Sequence, residues 1–238
     1  MHAMTHTPTP VRIVLATSNP HKLDELGAIF AGAGLTGVRL IGLRDIQTLR
    51  PLVEPAETGT TFDANATIKA ISYAQQLGLP ALADDSGLEI DALNGRPGVI
   101  SSHYCTDGRE TGMTREERDA ANNARVMREL ATWPREKRTA RFVCLMKLAL
   151  PSPEPDTIPS IIASSRGTFE GIIGLDTEVP RGENGFGYDP LFLVGPDHRV
   201  VSAQLPPETK NAMSHRGHAA RAMAAELKRL MASDALPR

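Results

Sequence analysis

Apolar positions divide the chain into alternating short strands and helices. Val11 to Ala16 is an apolar run of strand length, followed at once by the turn formers Thr17, Ser18 and Asn19. Asn19 can cap a helix with Pro20 at its first position. Leu23, Leu26, Ile29 and Phe30 then recur at helical spacing until Gly32 and Gly34 interrupt them. A strand, a polar turn and a helix in that order offer free backbone N–H groups to an anion. Phe62, Ala66, Ala70, Tyr73, Ala74 and Leu77 mark one face of a second helix, which begins near Thr61 and stops at Gly78. Leu88, Ile90 and Ala92 alternate with Glu89 and Asp91 up to Asn94-Gly95, which predicts a half-exposed strand ending in a tight turn. Thr114 and Glu117 make a capping box for a helix through about Ala131. Thr139 to Leu150 alternate as a long strand, Pro151 to Pro159 read as a loop, and further strands start at Ile161 and Leu191. The last helix runs roughly from Ala212 to Met231, with Ser214 as a cap.

With 238 residues and 41% apolar composition, the chain can build one large domain or two lobes sharing a core. Lys plus Arg number 26 against 28 Asp plus Glu, so no overall basic field exists to hold a nucleic-acid backbone, and an anionic ligand must meet local positive charge. Cys105 and Cys144 are far apart and fit no metal spacing, which suits a reduced cytosolic setting. Residues 1–10 lack the apolar core of a signal peptide and read as a flexible tail, and no apolar run approaches membrane-spanning length.

Candidate chemistry is concentrated in five places. In Pro80-Ala81-Leu82-Ala83-Asp84-Asp85-Ser86-Gly87, two adjacent carboxylates sit where an apolar strand is expected to run into a turn. Either a divalent cation or a strongly cationic ligand lets them coexist, or they form a solvated acidic turn. Lys22 lies in the first turn of its helix, where the macrodipole disfavours a cation unless a phosphate is bound; a solvated lysine would read the same. Glu57 falls just before the second helix. Asn65 and Lys69, four apart on it, share a face that either points into a cleft or forms a polar surface stripe. The segment 182–190 packs three glycines around Phe186 and Tyr188, either for close backbone approach and stacking on a planar ring or as a tight hairpin with core aromatics. His215 and Arg216 place basic charge in the first turn of the last helix, with Lys210 close before them. No phosphate-binding Gly-x-x-x-x-Gly-Lys-Ser/Thr loop, complete Gly-x-Gly-x-x-Gly, His-Glu-x-x-His or Gly-x-Ser-x-Gly occurs.

Five segments occur in order: Thr17-Ser18-Asn19-Pro20-His21-Lys22; Glu57-Thr58-Gly59-Thr60-Thr61-Phe62 with Asn65 and Lys69; Asp84-Asp85-Ser86-Gly87; Phe186-Gly187-Tyr188-Asp189; and Ser214-His215-Arg216-Gly217. Together they resemble the inosine triphosphate pyrophosphatase family over about residues 11 to 231. The resemblance implies an α/β fold, two-lobed, with an elongated mixed β-sheet flanked by helices and a central substrate cleft. It implies one two-lobed unit over 11–233 and a C-terminal tail over 234–238. It also implies Mg2+-dependent cleavage of ITP, dITP or XTP to the monophosphate and pyrophosphate, in a homodimer; cysteine usage, charge balance and the lack of a long apolar run add a cytoplasmic location with no nucleic-acid or membrane partner. Residue by residue, it puts Thr17, Ser18, Asn19, Pro20, His21 and Lys22 on the triphosphate with Lys69 nearby. Glu57 and Asp85 hold Mg2+ with Asp84 in support, and Asp85 is also the proton acceptor. Ser86 contacts substrate, Phe186 stacks on the purine, and Gly187, Tyr188 and Asp189 line its pocket. Lys210, His215 and Arg216 complete the nucleotide site, the last two facing the 6-oxo edge of the base. The rival readings are a Maf-like pyrophosphatase of other base specificity and a nucleotide-binding regulator without turnover.

Overall fold

β4 (Thr139–Leu150) and β5 (Ser160–Ile173) pair antiparallel along almost their whole length and form the spine of the molecule. This computed structural model describes residues 10–17, 20–154 and 157–236. Around the spine, β1 (Val11–Leu15), β2 (Val38–Gly42), β3 (Ala81–Ile90), β6 (Phe192–Val194) and β7 (Val200–Val201) complete an open seven-stranded sheet in the order β2-β1-β3-β4-β5-β6-β7. β1 runs parallel to both β2 and β3; all the other neighbours are antiparallel. The sheet is therefore mixed, as expected.

Helices cover both faces. α1 (Pro20–Gly32) and α5 (His215–Ala232) lie on one face, where Leu26, Phe30, Met223 and Leu227 pack with Leu82, Met146 and Leu148. α2 (Phe62–Leu77) lies on the other, its Ala70, Tyr73 and Ala74 against Ala81, Ala83 and Ala149. The small residues on both sides let helix and sheet approach closely. A separate core gathers Leu88, Ile90, Tyr104, Phe142, Phe169 and Phe192 under α3 (Arg115–Leu130), so the two lobes have distinct interiors joined by β3, β4 and β5. Caps read from the sequence are present. Thr61 accepts from the Ala64 N–H, Gly78 closes α2 at φ 62°, and Thr114 with Glu117 forms the capping box of α3.

Several expectations need correction. The chain does not turn at Asp84 to Gly87: both acids lie within the continuous ten-residue strand β3, paired with Met146 and Leu145 of β4, and the separate strand expected from Leu88 is its second half. The turn formers Asp, Ser and Gly are overridden by a cross-strand ladder on β4. β2 was not expected, because a five-residue edge strand with an exposed Arg39 carries little pattern. The helix expected from Ala212 is two helices, α4 (Pro207–Met213) and α5, broken where Ser214 takes the extended conformation and its hydroxyl accepts from the Gly217 N–H. Beyond the expected boundary at 233, Leu236 is buried in the α1/α5 core, so the packed region extends into the expected tail.

Candidate active site

Side chains alternate faces along a strand, so Asp84 and Asp85 are adjacent in sequence and separated by the sheet. Asp84 points with Ser86 toward α1 and α5, and Asp85 points toward α2. Mutual repulsion is therefore not what demands a cation here; each acid has its own partners. Both stand beside the end of β1, whose ladder with β3 closes at Leu15 opposite Leu82. The next bond runs from the Ala16 N–H to the Leu82 carbonyl. A cavity of about 140 Å³ opens there, lined by Thr17, Lys22, Glu54, Glu57, Lys69, Tyr73 and Asp84 among others.

Asp84 is enclosed. Lys22 Nζ donates to its two oxygens at 2.8 and 2.9 Å, and Arg216 Nε lies 3.6 Å from Oδ2. Burial alone would raise its pKa, but Lys22 and Arg216 outweigh that and hold the carboxyl well below the usual carboxylate range. Arg216 is itself only 4% exposed, with Nη1 donating to Glu25 at 3.1 Å and Nη2 to Ser86 Oγ at 3.3 Å. Arg216 thus belongs to a buried ion network that reaches α1 through Glu25. His215 is also buried and stacks on Phe142 at 5.1 Å. Its Nδ1 has no hydrogen-bond partner, and burial, then Arg216 and Lys210, keep the imidazole neutral by lowering its pKa well below the usual value. Gly217 is required where it stands: a Cβ there would meet the Asn211 carbonyl oxygen at 1.9 Å.

Asp85 is less completely paired. Its Oδ1 accepts from Lys69 Nζ at 2.9 Å, while Oδ2 is buried with no hydrogen-bond partner. The same ammonium reaches Glu57 at 3.2 Å. Burial, opposed by Lys69 but reinforced by Glu57 and Asp84, pushes the Asp85 carboxyl up to about 6. Burial also weighs against the charge on Lys69, yet Asp85 and Glu57 more than offset it, so its pKa stands above the ordinary lysine value. The loop carrying Glu57 is fixed by Asn65, whose side-chain oxygen accepts from the Gly59 N–H at 2.8 Å. Among the described residues no three acidic, histidine or cysteine side chains converge to hold a metal on their own. The donor set nonetheless fits a hard divalent ion shared with a phosphate chain, which needs only one or two protein carboxylates. The bridging Lys69 ammonium marks where Glu57 and Asp85 share one positive charge, and the orphaned Oδ2 is a free acceptor beside it.

Of the turn expected on phosphate, Thr17 lines the cavity, with its N–H donating to the Leu15 carbonyl at 2.8 Å. Ser18 and Asn19 lie outside the described residues, as do the side chains of Pro20 and His21.

The aromatic segment forms a second centre. Phe186 remains 45% exposed, while Tyr188 is buried and donates its hydroxyl to the Ser101 carbonyl at 2.7 Å, which makes it a lobe-core residue. Asp189 is buried too. It accepts from the Phe186 N–H, Ser202 Oγ and Lys210 Nζ at 2.9, 2.8 and 2.5 Å, tying the loop to α4. Gly185 adopts φ 82°, and a Cβ there would meet Asp189 Oδ2 at 2.2 Å and Lys210 Nζ at 2.7 Å. From α3, Asp119 accepts from the Gly187 N–H at 3.0 Å and Asn123 donates to the Gly187 carbonyl at 3.1 Å.

Glu25, Asp119 and Asn123 were not singled out from the sequence. Glu25 had a signal: it lies three residues after Lys22 on the same helical face. Asp119 and Asn123, one turn apart on α3, had none, since their partner lies more than sixty residues away.

A relative from Frankia alni, named dITP/XTP pyrophosphatase, is 46% identical over 223 residues, covering 94% of this chain and 100% of its own. One of the same name from Nocardia farcinica is 44% identical over 214 residues, covering 90% and 93%. The solved structure of a HAM1 protein from Coxiella burnetii superposes with a TM-score of 0.74 at 37% identity, covering 92% of this chain and 99% of that one. That of a nucleoside-triphosphatase, or dITP/XTP pyrophosphatase, from Mycobacterium abscessus gives 0.63 at 39%, covering 92% and 100%. Residues 13–226, which run from β1 into α5 and span every acid, lysine and arginine of the site, match the Ham1 family, and the chain belongs to that family.

Proposed function

We propose that this protein hydrolyses deaminated purine nucleoside triphosphates, dITP, ITP and XTP, to the monophosphate and pyrophosphate. The observation that carries this reading is the shared ammonium of Lys69 between Glu57 and Asp85, at a cavity that also presents Lys22. Such a site suits a chain of anionic oxygens more than any neutral substrate. The names of the Frankia alni and Nocardia farcinica relatives, both dITP/XTP pyrophosphatase, support the base class.

Phosphoryl transfer needs a positioned water, neutralised phosphate oxygens and a stabilised leaving group. Lys22 and Lys69 supply positive charge along the triphosphate. Asp85 Oδ2, which has no protein hydrogen-bond partner, accepts a hydrogen bond from the attacking water and orients it. Glu57 and Asp85 would hold Mg2+, which supplies charge neutralisation on the phosphate oxygens when bound. Asp84 supports them indirectly, by fixing Lys22 and Arg216. The base stacks on Phe186, the exposed aromatic of the second centre. The working unit is the two-lobed body from β1 to the buried Leu236, acting as a homodimer in the cytoplasm. No helix among the described residues is long and apolar enough to cross a membrane.

Incubation with Mg2+ and a panel of triphosphates tests the reaction. Pyrophosphate is the expected product, with ITP, dITP and XTP turned over far faster than ATP or GTP. Orthophosphate as the primary product, or no turnover of any triphosphate, overturns the reading. Light scattering checks the dimer.

A further inference from the structure

Arg115 opens α3 and carries its guanidinium carbon 4.4 Å from the centroid of the Phe186 ring. A cation at the first helical position opposes the helix dipole, so the placement is unfavourable for α3 itself. It is held there by two contacts: the ring, and Asp119 one turn later, 3.9 Å from Arg115 Nε. Asp119 also accepts from the Gly187 N–H, and Asn123 holds the Gly187 carbonyl. Arg115 and Phe186 are thus fixed to one rigid support, α3, which contributes nothing to the phosphate end. The Arg115 side chain is half exposed and long enough to swing away from the ring without moving the helix.

We infer that Arg115 is a base-stacking residue: a purine slides between Phe186 and the guanidinium, which then covers the outer face of the base. This rests on the proposed reading of Phe186 as the base platform. A flat delocalised cation stacks on an aromatic face, and a purine offers it a second such face in place of the one surrendered. Stacking on Phe186 outweighs the exposed cation–π contact it displaces, so the exchange favours entry of the base. Arg115 therefore discriminates large planar bases from small ones and does not act on the phosphates.

The test compares Arg115→Ala and Arg115→Lys with the parent protein. KM and kcat are measured for ITP, direct binding of IMP is followed by calorimetry, and inhibition by inorganic tripolyphosphate serves as the base-free control. For Arg115→Ala the inference requires KM for ITP and the IMP dissociation constant to rise about three- to five-fold, with kcat within about two-fold and tripolyphosphate inhibition unchanged. Arg115→Lys, which keeps the charge but loses the planar fork, recovers less than half of the loss. The inference is overturned by unchanged or tighter IMP binding in Arg115→Ala, by an equal loss toward tripolyphosphate, or by full recovery with lysine. Absence of ITP turnover in the parent protein would count against the proposed reaction alone, since IMP binding still decides the role of Arg115.

Discussion

Asp84 and Asp85 are neighbours on one strand and have opposite environments. Asp84 faces Lys22 and Arg216, both of its oxygens are engaged, and it is held ionised. Asp85 shares a single lysine with Glu57, keeps one oxygen without a partner, and resists ionisation. A saturated carboxylate is a fixed anchor. An undersaturated one retains capacity for a water, a proton or a metal. The two-residue period of a β-strand, applied to an Asp-Asp pair, separates those duties by placing them on different faces.

The largest difference is expected in turnover. Asp85→Asn should lower kcat about 10²- to 10⁴-fold while the protein still folds, as judged by circular dichroism and the ITP assay. Near-normal rates would remove Asp85 from the chemistry. Asp84→Asn acts on stability first, because it leaves Lys22 and Arg216 beside a neutral group. A loss of about 3 kcal/mol in denaturant unfolding is expected, and less than about 1 kcal/mol would show that the enclosure is only geometric.

The sign of the pH response separates the two acids further. In metal-free protein the raised pKa of Asp85 gives the folded state extra proton affinity between the ordinary value, about 3.9, and about 6. Its ionisation therefore weakens folding as pH rises through that window, and the penalty is complete above it. Asp85→Asn should melt at a higher temperature than the parent at pH 8, with the gap closing toward pH 4. Asp84, with its lowered pKa, contributes stability that is present above about 3.9 and lost as pH falls below it. Asp84→Asn should thus be the less stable protein throughout the neutral range. Removing the shared cation with Lys69→Met should raise the Asp85 pKa in metal-free protein and carry the loss of stability to higher pH; an unmoved stability–pH curve would mean that another group controls it. Smallest is the effect of Gly185→Ala, which forces a Cβ at φ 82° against Asp189. A cost of about 1 kcal/mol and a weaker IMP affinity are expected from displacement of the Phe186 loop.

Much of this was legible in the sequence where the determinants are local. The start of α2 near Thr61, the caps at Thr114 and Ser214 and the helical stripe of α2 need only a few neighbouring residues, and the structure has them. What could not be read depends on pairing across the chain. β3 looks like a strand, a turn and a second strand until β4 is laid beside it, and only then do its two acids separate onto opposite faces. Arg216, a cation in a first helical turn, calls for a ligand or an acidic partner, but that partner, Glu25, lies 191 positions away and cannot be picked out from the pattern. Glu57, Lys69 and Asp85 come from a loop, a helix and a strand, and their shared charge is a property of the assembled cleft.

The partnership of Asp84 and Ser86 with Arg216 has a consequence for synthesis of the chain. Arg216 lies 130 residues after Ser86, so a growing polypeptide lacks one of the two cations that make burial of Asp84 favourable for roughly 6 to 26 s at 5–20 residues per second. During that interval β1, α1 and β3 can associate, but the face awaiting α5 exposes Leu26, Leu82 and Met146. The α1/α5 face thus closes, and the phosphate end takes its final form, only when the last helix emerges. A nascent chain has no finished nucleotide site to occupy before then, and ribosome stalling upstream of Ser214 would leave a sticky intermediate for chaperones or proteases to collect.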